Sequence, residues 1–169
     1  MQKIDIPVPE RFLSEAYLSA VAADDSKQSC TFVKDALQTM QDIAHQGYPD
    51  EICGLLVGTA NTEGWLVNEV RQVANINQER AADRFQLDPA GYQAIDSELR
   101  GSGQEIIGVF HSHPDCPAKP SPTDLTNAWE GFVYPIVSVV DGQVAEVNCW
   151  VLTDDVNFGG IFQKLPHHI

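Results

Sequence analysis

The sequence predicts a single domain of the α/β (α+β) class, with a mixed central β-sheet flanked by helices. Three observations support this prediction. The 169 residues suit one compact domain and hardly two. Hydrophobic residues make up 43% of the chain, just below the usual range for globular domains, so a proper core is expected. Along the chain, segments with helical spacing of apolar residues alternate with short apolar runs that are typical of strands.

Residues 1–29 differ from the rest and are predicted to be an N-terminal extension, with the domain spanning 30–169. The prolines of IPVP favour extended chain, RFLSEAYLSAVAA is predicted to form a short helix, and DDSKQS is predicted to be a linker. A fully solvated tail would not need so many apolar side chains. We therefore expect this arm to pack on the domain, on its groove or on a second subunit, which leaves a possible homodimer open. The apolar side chains are Phe12, Leu13, Tyr17, Leu18 and Val21.

The first half of the domain predicts two helices around a pair of strands. FVKDALQTMQDIAHQG, residues 32–47, has helical spacing, and Gly47 is placed to end the helix. ICGLLVG is typical of a buried strand, and GWLVNEVRQVAN alternates well enough for a second strand. FQLD is a possible short strand. Asp88 and Pro89 then provide the cap and the first position of a helix over DPAGYQAIDSELRG.

The second half predicts a strand, a short helix and a hairpin. QEIIGVFHSH is predicted to be a strand, and SPTDLTNAWEG begins a helix. YPIVSVV and QVAEVNCWVL are predicted to pair around Asp141-Gly142, a common hairpin turn. The last segment, FGGIFQKLPHHI, fits no single type of element.

Charge and composition exclude several functions. The net charge of −14 and the pI of about 4.4 disfavour binding to nucleic acids and to anionic membrane surfaces. No apolar run reaches the ~20 residues of a membrane helix, and the first residues do not resemble a signal peptide, so we expect a cytoplasmic protein. The four cysteines form no CxxC pair, which argues against a disulfide framework or a Cys-rich zinc site.

Two histidines, His111 and His113, stand one residue apart at the end of a predicted strand. Residues i and i+2 of a strand point to the same face, so both imidazoles can grip one metal ion. Catalytic zinc commonly has three protein ligands, and Asp124, beyond a loop with three prolines, is the nearest candidate for the third. However, Ser121 and Asp124 are also explained as the cap and first turn of a helix, and a lone HxH occurs by chance.

The larger constellation HSHPDCPAKPSPTD fits His-x-His-x7-Ser-x2-Asp. This pattern resembles the signature of the JAMM metalloproteases, also called MPN-plus or JAB1/MPN/Mov34, in their short stand-alone bacterial form. Upstream, PDEICGLLVG resembles the segment of that family in which an acidic residue precedes a Cys-Gly-Leu-Leu-like strand. The resemblance covers residues 31–152 and implies a single MPN-like domain.

By this resemblance His111, His113 and Asp124 are the ligands of one Zn²⁺ ion per chain. Glu51 is the general base, and Ser121 stabilises the oxyanion. Such a metal lowers the pKa of bound water toward ~7, which makes hydroxide available at neutral pH. A carboxylate is then needed to carry a proton to the leaving amine. Without the Cys-Gly-Leu-Leu context, the sequence could not distinguish Glu51 from Asp50 or Glu63 as the base.

The resemblance also implies a substrate class. JAMM enzymes cleave after the C-terminal Gly-Gly of ubiquitin-like proteins, and short bacterial relatives are associated with ubiquitin-like sulfur carriers. A tail that ends in two glycines can thread a narrow groove because it lacks side chains. The expected activity is therefore a zinc-dependent peptidase or isopeptidase that acts after Gly-Gly. The alternative is a non-catalytic MPN scaffold that binds protein partners, although members of that kind lose metal ligands and all five positions are present here.

Overall fold

A computed structural model describes residues 3–22, 27–153 and 161–169 of the chain. The helices α1 to α4 span Glu15–Ser19, Ala36–Gly47, Pro89–Leu99 and Pro122–Asn127. The strands β1 to β5 span Val21–Ala22, Ser29–Phe32, Cys53–Asn61, Gly64–Val73 and Glu105–Pro114. The strands β6 to β9 span Val133–Val140, Gln143–Thr153, Ile161–Leu165 and His167–His168. No helix in the described ranges is long and apolar enough to cross a membrane.

The strands form one mixed sheet in the order β1-β8-β7-β6-β5-β3-β4-β2-β9. The pairs β3–β4, β3–β5, β6–β7 and β7–β8 are antiparallel, whereas β5–β6 and β2–β4 are parallel. Only Pro166 separates β8 from β9, although these two strands lie near opposite ends of the order, so the sheet curls until its ends approach each other. The predicted class, a mixed sheet with helices, is confirmed.

Two helices cover the central strands. Helix α2 buries Met40 and Ala44 in the main core, which also contains Phe110 of β5. Helix α3 adds Ile95 to a second cluster around Leu55 of β3. β5 therefore runs through the middle of the molecule with both faces covered, and its C-terminal end is held rigidly.

The hairpin prediction is confirmed at its turn. β6 and β7 pair from Val133↔Val151 to Val140↔Gln143. Asp141 and Gly142 have φ of 48° and 78°, as a two-residue turn with left-handed central residues requires. The ambiguous C-terminal segment forms β8 and β9 from residue 161 onward, and its first residues, 158–160, lie outside the described part. FQLD contributes only an isolated bridge, Asn75↔Leu87.

Two predicted helices are shorter than their patterns suggested. The helix predicted over 32–47 begins at Ala36, after Asp35 with a φ of 73°. Phe32 instead ends strand β2, where it is fully buried and pairs with Val67, because tertiary pairing outweighs a local helical pattern. The helix predicted over 121–131 ends at Asn127, since the next residue is extended.

The N-terminal arm is not one helix over 11–23. It forms a 3-10 turn at Glu10–Phe12, then α1 and β1, while residues 23–26, which include part of the predicted linker, lie outside the described ranges. Ser14 explains the break, because its side chain accepts a hydrogen bond from the Tyr17 amide and so caps a new helix. The boundary at residue 29 stays a prediction.

Candidate active site

Strand β5 brings His111 and His113 to one face. Both rings are buried, their centroids lie 4.8 Å apart, and their Nε2 atoms lie 3.0 Å apart. Ser112 points the other way, where its Oγ accepts a hydrogen bond from the Ile52 amide at 2.9 Å. The alternation predicted from the HxH spacing is thus realised, and the buried Ser112 contact fixes which face the histidines occupy.

The loop that follows β5 is tied down along its length. Asp115, with a φ of 54°, accepts hydrogen bonds from the Tyr48 hydroxyl and the Asp141 amide. The carbonyl of Cys116 accepts from the Ser138 hydroxyl at 2.7 Å, and that of Ala118 accepts from the Trp150 indole at 3.0 Å. These contacts with β6 and β7 give the loop one course toward helix α4.

Helix α4 delivers Asp124 to the histidines. Asp124 Oδ2 lies 3.1 Å from the Nε2 atoms of both His111 and His113. The same oxygen accepts a hydrogen bond from the Ser121 amide, while Ser121 Oγ accepts one from the Asp124 amide. The two residues therefore form a reciprocal capping box, which holds the carboxylate at the site as well as starting the helix.

The donor set fits a metal cation. The Pro117 carbonyl oxygen can only accept a hydrogen bond, so His113 Nδ1, which lies 2.8 Å from it, must carry the ring proton. In the neutral ring, Nε2 then has a free lone pair. That lone pair faces the Asp124 carboxylate and the second imidazole, an arrangement that needs a positive charge between the three atoms. Their separations of 3.0–3.1 Å are close to the ~3.3 Å edge of a tetrahedron with ~2.0 Å zinc bonds.

Glu51 lies just outside this triangle. It precedes β3 and is 4% exposed, with Oε1 3.8 Å from His113 Nε2 and with no hydrogen-bond partner for Oε2 among the described residues. Ligand atoms of Glu51, His111 and His113 all lie within 4.8 Å of one another. Asp124 is nearer to both rings than Glu51 is. The three closest donor atoms therefore belong to His111, His113 and Asp124, and Glu51 lies beside them.

Burial and charge set the acid–base character of these groups. Burial raises the pKa of Glu51 to about 8, and positive charge at the position of His113 opposes this rise. Burial acts to raise the pKa of Asp124 too, but His111 and His113 outweigh it and hold that pKa well below its usual range. Burial lowers the pKa of His111, which favours the neutral ring that a metal requires.

A groove of about 850 Å³ opens on one side of the site. Ser121, Asp124 and His111 line its inner end, and Phe85 stacks on the His111 ring with centroids 4.5 Å apart. Farther out the groove is lined by Trp129, which is 64% exposed. Ser121 Oγ accepts its cap bond from the Asp124 amide, so its hydroxyl proton remains available for a group that enters the groove.

The N-terminal segment covers the opposite side. Phe12 is 2% exposed, and its ring centroid lies 6.1 Å from that of His113. Tyr17 is also buried and packs in one cluster with Phe12 and Cys116. The Tyr17 hydroxyl has no hydrogen-bond partner in the described part of the chain, and burial together with the Asp124 charge raises its pKa.

All five predicted site residues, Glu51, His111, His113, Ser121 and Asp124, are therefore brought together. Sequence reasoning missed Phe85, which stacks on the His111 ring. It expected the arm with Phe12 and Tyr17 to pack on the domain, on its groove or on a second subunit, but it did not predict the approach of Phe12 to His113. Cys116, in the loop between His113 and Asp124, is buried beside His113. Its position between these two residues in the sequence was the one available signal for this contact.

Residues 33–153 match the family model described as prokaryotic homologs of the JAB domain. The chain belongs to this family. It is 36% identical over 92 residues to a desampylase of Haloferax volcanii, a match that covers 53% of this chain and 63% of that protein. It is 26% identical over 121 residues to a CysO-cysteine peptidase of Mycobacterium tuberculosis, covering 71% of this chain and 80% of the relative.

The fold comparison agrees with this family assignment. The solution structure of a protein from Desulfitobacterium hafniense is similar, with a TM-score of 0.69 and 26% identity, over 82% of this chain and 90% of that one. The N-terminal segment that covers His113 precedes the region matched by the family model, which begins at residue 33.

Proposed function

We propose that this JAB-family protein is a zinc-dependent peptidase that hydrolyses the amide bond after the C-terminal Gly-Gly of a ubiquitin-like protein, of the sulfur-carrier type. The observation that carries the proposal is the convergence of His111 Nε2, His113 Nε2 and Asp124 Oδ2 to within 3.0–3.1 Å, with Glu51 adjacent but farther away. A structural zinc site would more often use four protein ligands, usually with cysteine.

Each of these residues has a distinct chemical role in the proposed reaction. His111, His113 and Asp124 would hold a zinc ion, which when bound would act as the Lewis acid that makes water nucleophilic at neutral pH. Glu51 accepts the proton of the attacking water and passes it to the departing amine. Its position supports this role, because Glu51 is 4% exposed and its Oε1 lies 3.8 Å from His113 Nε2, beside the three donor atoms. The Ser121 hydroxyl donates a hydrogen bond to the oxyanion that develops on the scissile carbonyl.

The groove supports a tail as substrate. Near the histidines the groove is bordered by Phe85, which stacks on His111, and by Ser121, which caps α4. A Gly-Gly tail would bring no side chains into this part of the groove. The names of the relatives, desampylase and CysO-cysteine peptidase, support a reaction on a protein-linked group, and the resemblance to JAMM enzymes supports Gly-Gly as the site of cleavage.

The test uses the full chain with zinc and a ubiquitin-like sulfur carrier that is extended by one residue beyond Gly-Gly. Intact mass spectrometry reports the product. We expect clipping after Gly-Gly that disappears with a chelator and in Glu51→Gln. Asp50→Asn is the matched control, because Asp50 is exposed in the same turn and should keep wild-type turnover.

The possible outcomes separate the alternatives. Clipping that survives in Glu51→Gln would show that Glu51 is not the base. No clipping by a sample that holds one zinc per chain would contradict the proposed substrate class. Full-length carrier that binds the chain without ever being cleaved would instead indicate the non-catalytic MPN scaffold.

A further inference from the structure

The carboxylate of Glu51 has no hydrogen bond that aims it toward the donor atoms. Among the described residues, Oε2 has no hydrogen-bond partner, and Oε1 lies 3.8 Å from His113 Nε2, which is too far for a hydrogen bond. Glu51 also lies outside strand β3, which begins at Cys53. The place of this buried side chain therefore depends on what holds its main chain.

Both backbone hydrogen-bonding groups of Glu51 pair with the chain between β4 and α3. The Glu51 amide donates to the Ala81 carbonyl at 2.6 Å. The Glu51 carbonyl accepts from Asn75 Nδ2 at 3.0 Å. Ala81 and Asn75 belong to one stretch, residues 75–86, which we call the clamp segment. The position of the proposed base thus depends on the clamp segment as well as on the sheet.

The side chain of Asn75 is the hub of the clamp segment. Its Nδ2 donates to the carbonyls of Glu51 at 3.0 Å and of Arg84 at 3.1 Å. Its Oδ1 accepts from the amides of Asn77 and Gln86, both at 3.0 Å. A primary amide has two donor hydrogens and an oxygen with two lone pairs, so every hydrogen-bonding position of this side chain is used. The partners also fix its orientation, because main-chain amides only donate and carbonyls only accept.

Asparagine is the residue type that supplies these four contacts at this length. Aspartate would keep both acceptor positions but lose both donors, and it would place negative charge against two carbonyl oxygens. Alanine would lose all four contacts. The side chain therefore has two separable roles. Its Oδ1 shapes the clamp segment, whereas its Nδ2 attaches the segment to Glu51.

The clamp segment also carries part of the groove. It is closed at its base, where the Ile76 amide donates to the Gln86 carbonyl at 2.9 Å. Near its end it carries Phe85, which lines the groove and stacks on His111. Release of the whole segment would disturb both the groove and the base, whereas loss of the bond to Glu51 alone would disturb only the base.

We propose that Asn75 is a positioning residue for Glu51: its Nδ2 holds the Glu51 carbonyl and thereby fixes where the Glu51 carboxylate stands beside the three donor atoms. This inference rests on the proposed function, in which Glu51 is the base. Asn75 does not line the groove, so it acts through Glu51 and not on the substrate. Displacement of a catalytic group by about 1 Å can cost about a hundredfold in rate, so changes at Asn75 should slow the chemical step.

The first test is a split between kcat and KM on the carrier extended beyond Gly-Gly. In Asn75→Asp we expect kcat to fall about ten- to a hundredfold, with KM within about twofold of wild type and one zinc per chain retained. Asn75→Ala also frees the segment that carries Phe85, so its kcat should fall at least as far and its KM should rise. Asn61→Asp is the matched control, because Asn61 lies in the β3–β4 turn and only accepts, from the Glu63 amide. Both of its constants should stay at the wild-type values.

Amide hydrogen exchange tests the attachment without any substrate. The Glu51 amide should exchange about tenfold faster in both Asn75 variants than in wild type, the order expected for a lost hydrogen bond. The neighbouring Ile52 amide is the internal reference, since it donates to Ser112 Oγ on the side of β5 and should keep its wild-type rate. Equal acceleration at both amides would show general loosening and would overturn the specific role of Asn75.

The remaining outcomes separate this inference from the proposed function. A normal kcat for Asn75→Asp, beside a wild type that cleaves the carrier, would overturn the inference and leave the peptidase in place. A fall in kcat that comes with loss of zinc would overturn it too, because the effect would then act on the metal site. Failure of zinc-loaded wild type to cleave would contradict the proposed function. An unchanged exchange rate at the Glu51 amide would overturn the inference whether or not the chain cleaves.

Discussion

The two sides of the site are built in opposite ways. On the metal side, all three proposed ligands come from one stretch in which His111 and Asp124 are only 13 residues apart. On the side of the N-terminal arm, Arg11 and Cys116 are in contact although 105 residues separate them. The first arrangement can be recognised from spacing, whereas the second exists only after the sheet has formed. The difference shows that the residues of the proposed metal site are encoded locally, whereas the packing of the N-terminal arm beside them depends on long-range contacts.

The two sides also differ in what holds them. His111 and His113 are fixed by the strand, by Ser112 and by the tied loop, so their geometry depends on many backbone hydrogen bonds. The N-terminal segment depends on two buried aromatic rings and a two-residue strand. We therefore expect changes on the metal side to abolish the proposed reaction, and changes in the arm to weaken its packing on the domain.

The largest effect is expected from His113→Ala. The change removes one of three proposed ligands, and even the loss of an outer partner of a metal ligand typically costs 10–100-fold in affinity or activity. We expect the bound zinc to be lost and kcat/KM to fall by more than about a hundredfold, as measured by elemental analysis and carrier cleavage. His168→Ala, an exposed histidine of β9, should change neither quantity. Zinc retained at one ion per chain in His113→Ala would contradict the ligand assignment.

An intermediate effect is expected from Ser121→Ala, which separates catalysis from helix capping. Loss of an oxyanion donor should lower kcat by about 10²–10³. Loss of the cap should lower the free energy of unfolding by about 1 kcal/mol. Ser121→Thr retains a hydroxyl and a good helix cap, so it should keep most of the kcat and most of the free energy of unfolding. Steady-state kinetics and urea unfolding measure the two quantities. A Ser121→Ala variant with reduced stability and normal kcat would make Ser121 a cap and nothing more.

The smallest effect on chemistry is expected from Phe12→Ala. Truncation of a buried Phe typically lowers the free energy of unfolding by about 3–5 kcal/mol. This value is an upper bound here, because the short N-terminal segment can detach without unfolding the sheet. We expect faster proteolysis within residues 3–22 and a modest loss of kcat/KM. Leu13→Ala is the matched control, since Leu13 is 57% exposed. The free energy of unfolding of this variant should stay within about 0.5 kcal/mol of the wild-type value. Identical proteolysis of the two variants would show that Phe12 does not hold the arm.

The sequence predicted the centre of the fold well, and the residues that it proposed as metal ligands lie together in the structure. The strands around Gly54 and His111 and the turn at Asp141-Gly142 follow from apolar runs and turn chemistry, which are local signals. The predicted start of helix α2 was wrong by four residues. Phe32 fits both a helical face and a buried strand, and only its pairing with Val67 decides between them.

The covering of the site could not be predicted for a different reason. Phe85 and Phe12 lie in segments without strong periodicity, and both reach the histidines only through tertiary contacts. Resemblance to a known family did not help with Phe12, since the matched region begins at residue 33. Spacing identifies residues that share one local element, and it is silent about residues that meet across the fold.

The central claim is that Asp124, and not Glu51, completes the metal site with the two histidines. A crystal structure of the zinc-loaded protein, with anomalous scattering at the zinc edge, tests this claim most directly. We predict a single peak within about 2.0–2.2 Å of His111 Nε2, His113 Nε2 and Asp124 Oδ2, with both Glu51 oxygens beyond bonding distance. A peak bonded to Glu51, or ordered zinc elsewhere with these atoms unligated, would contradict the account.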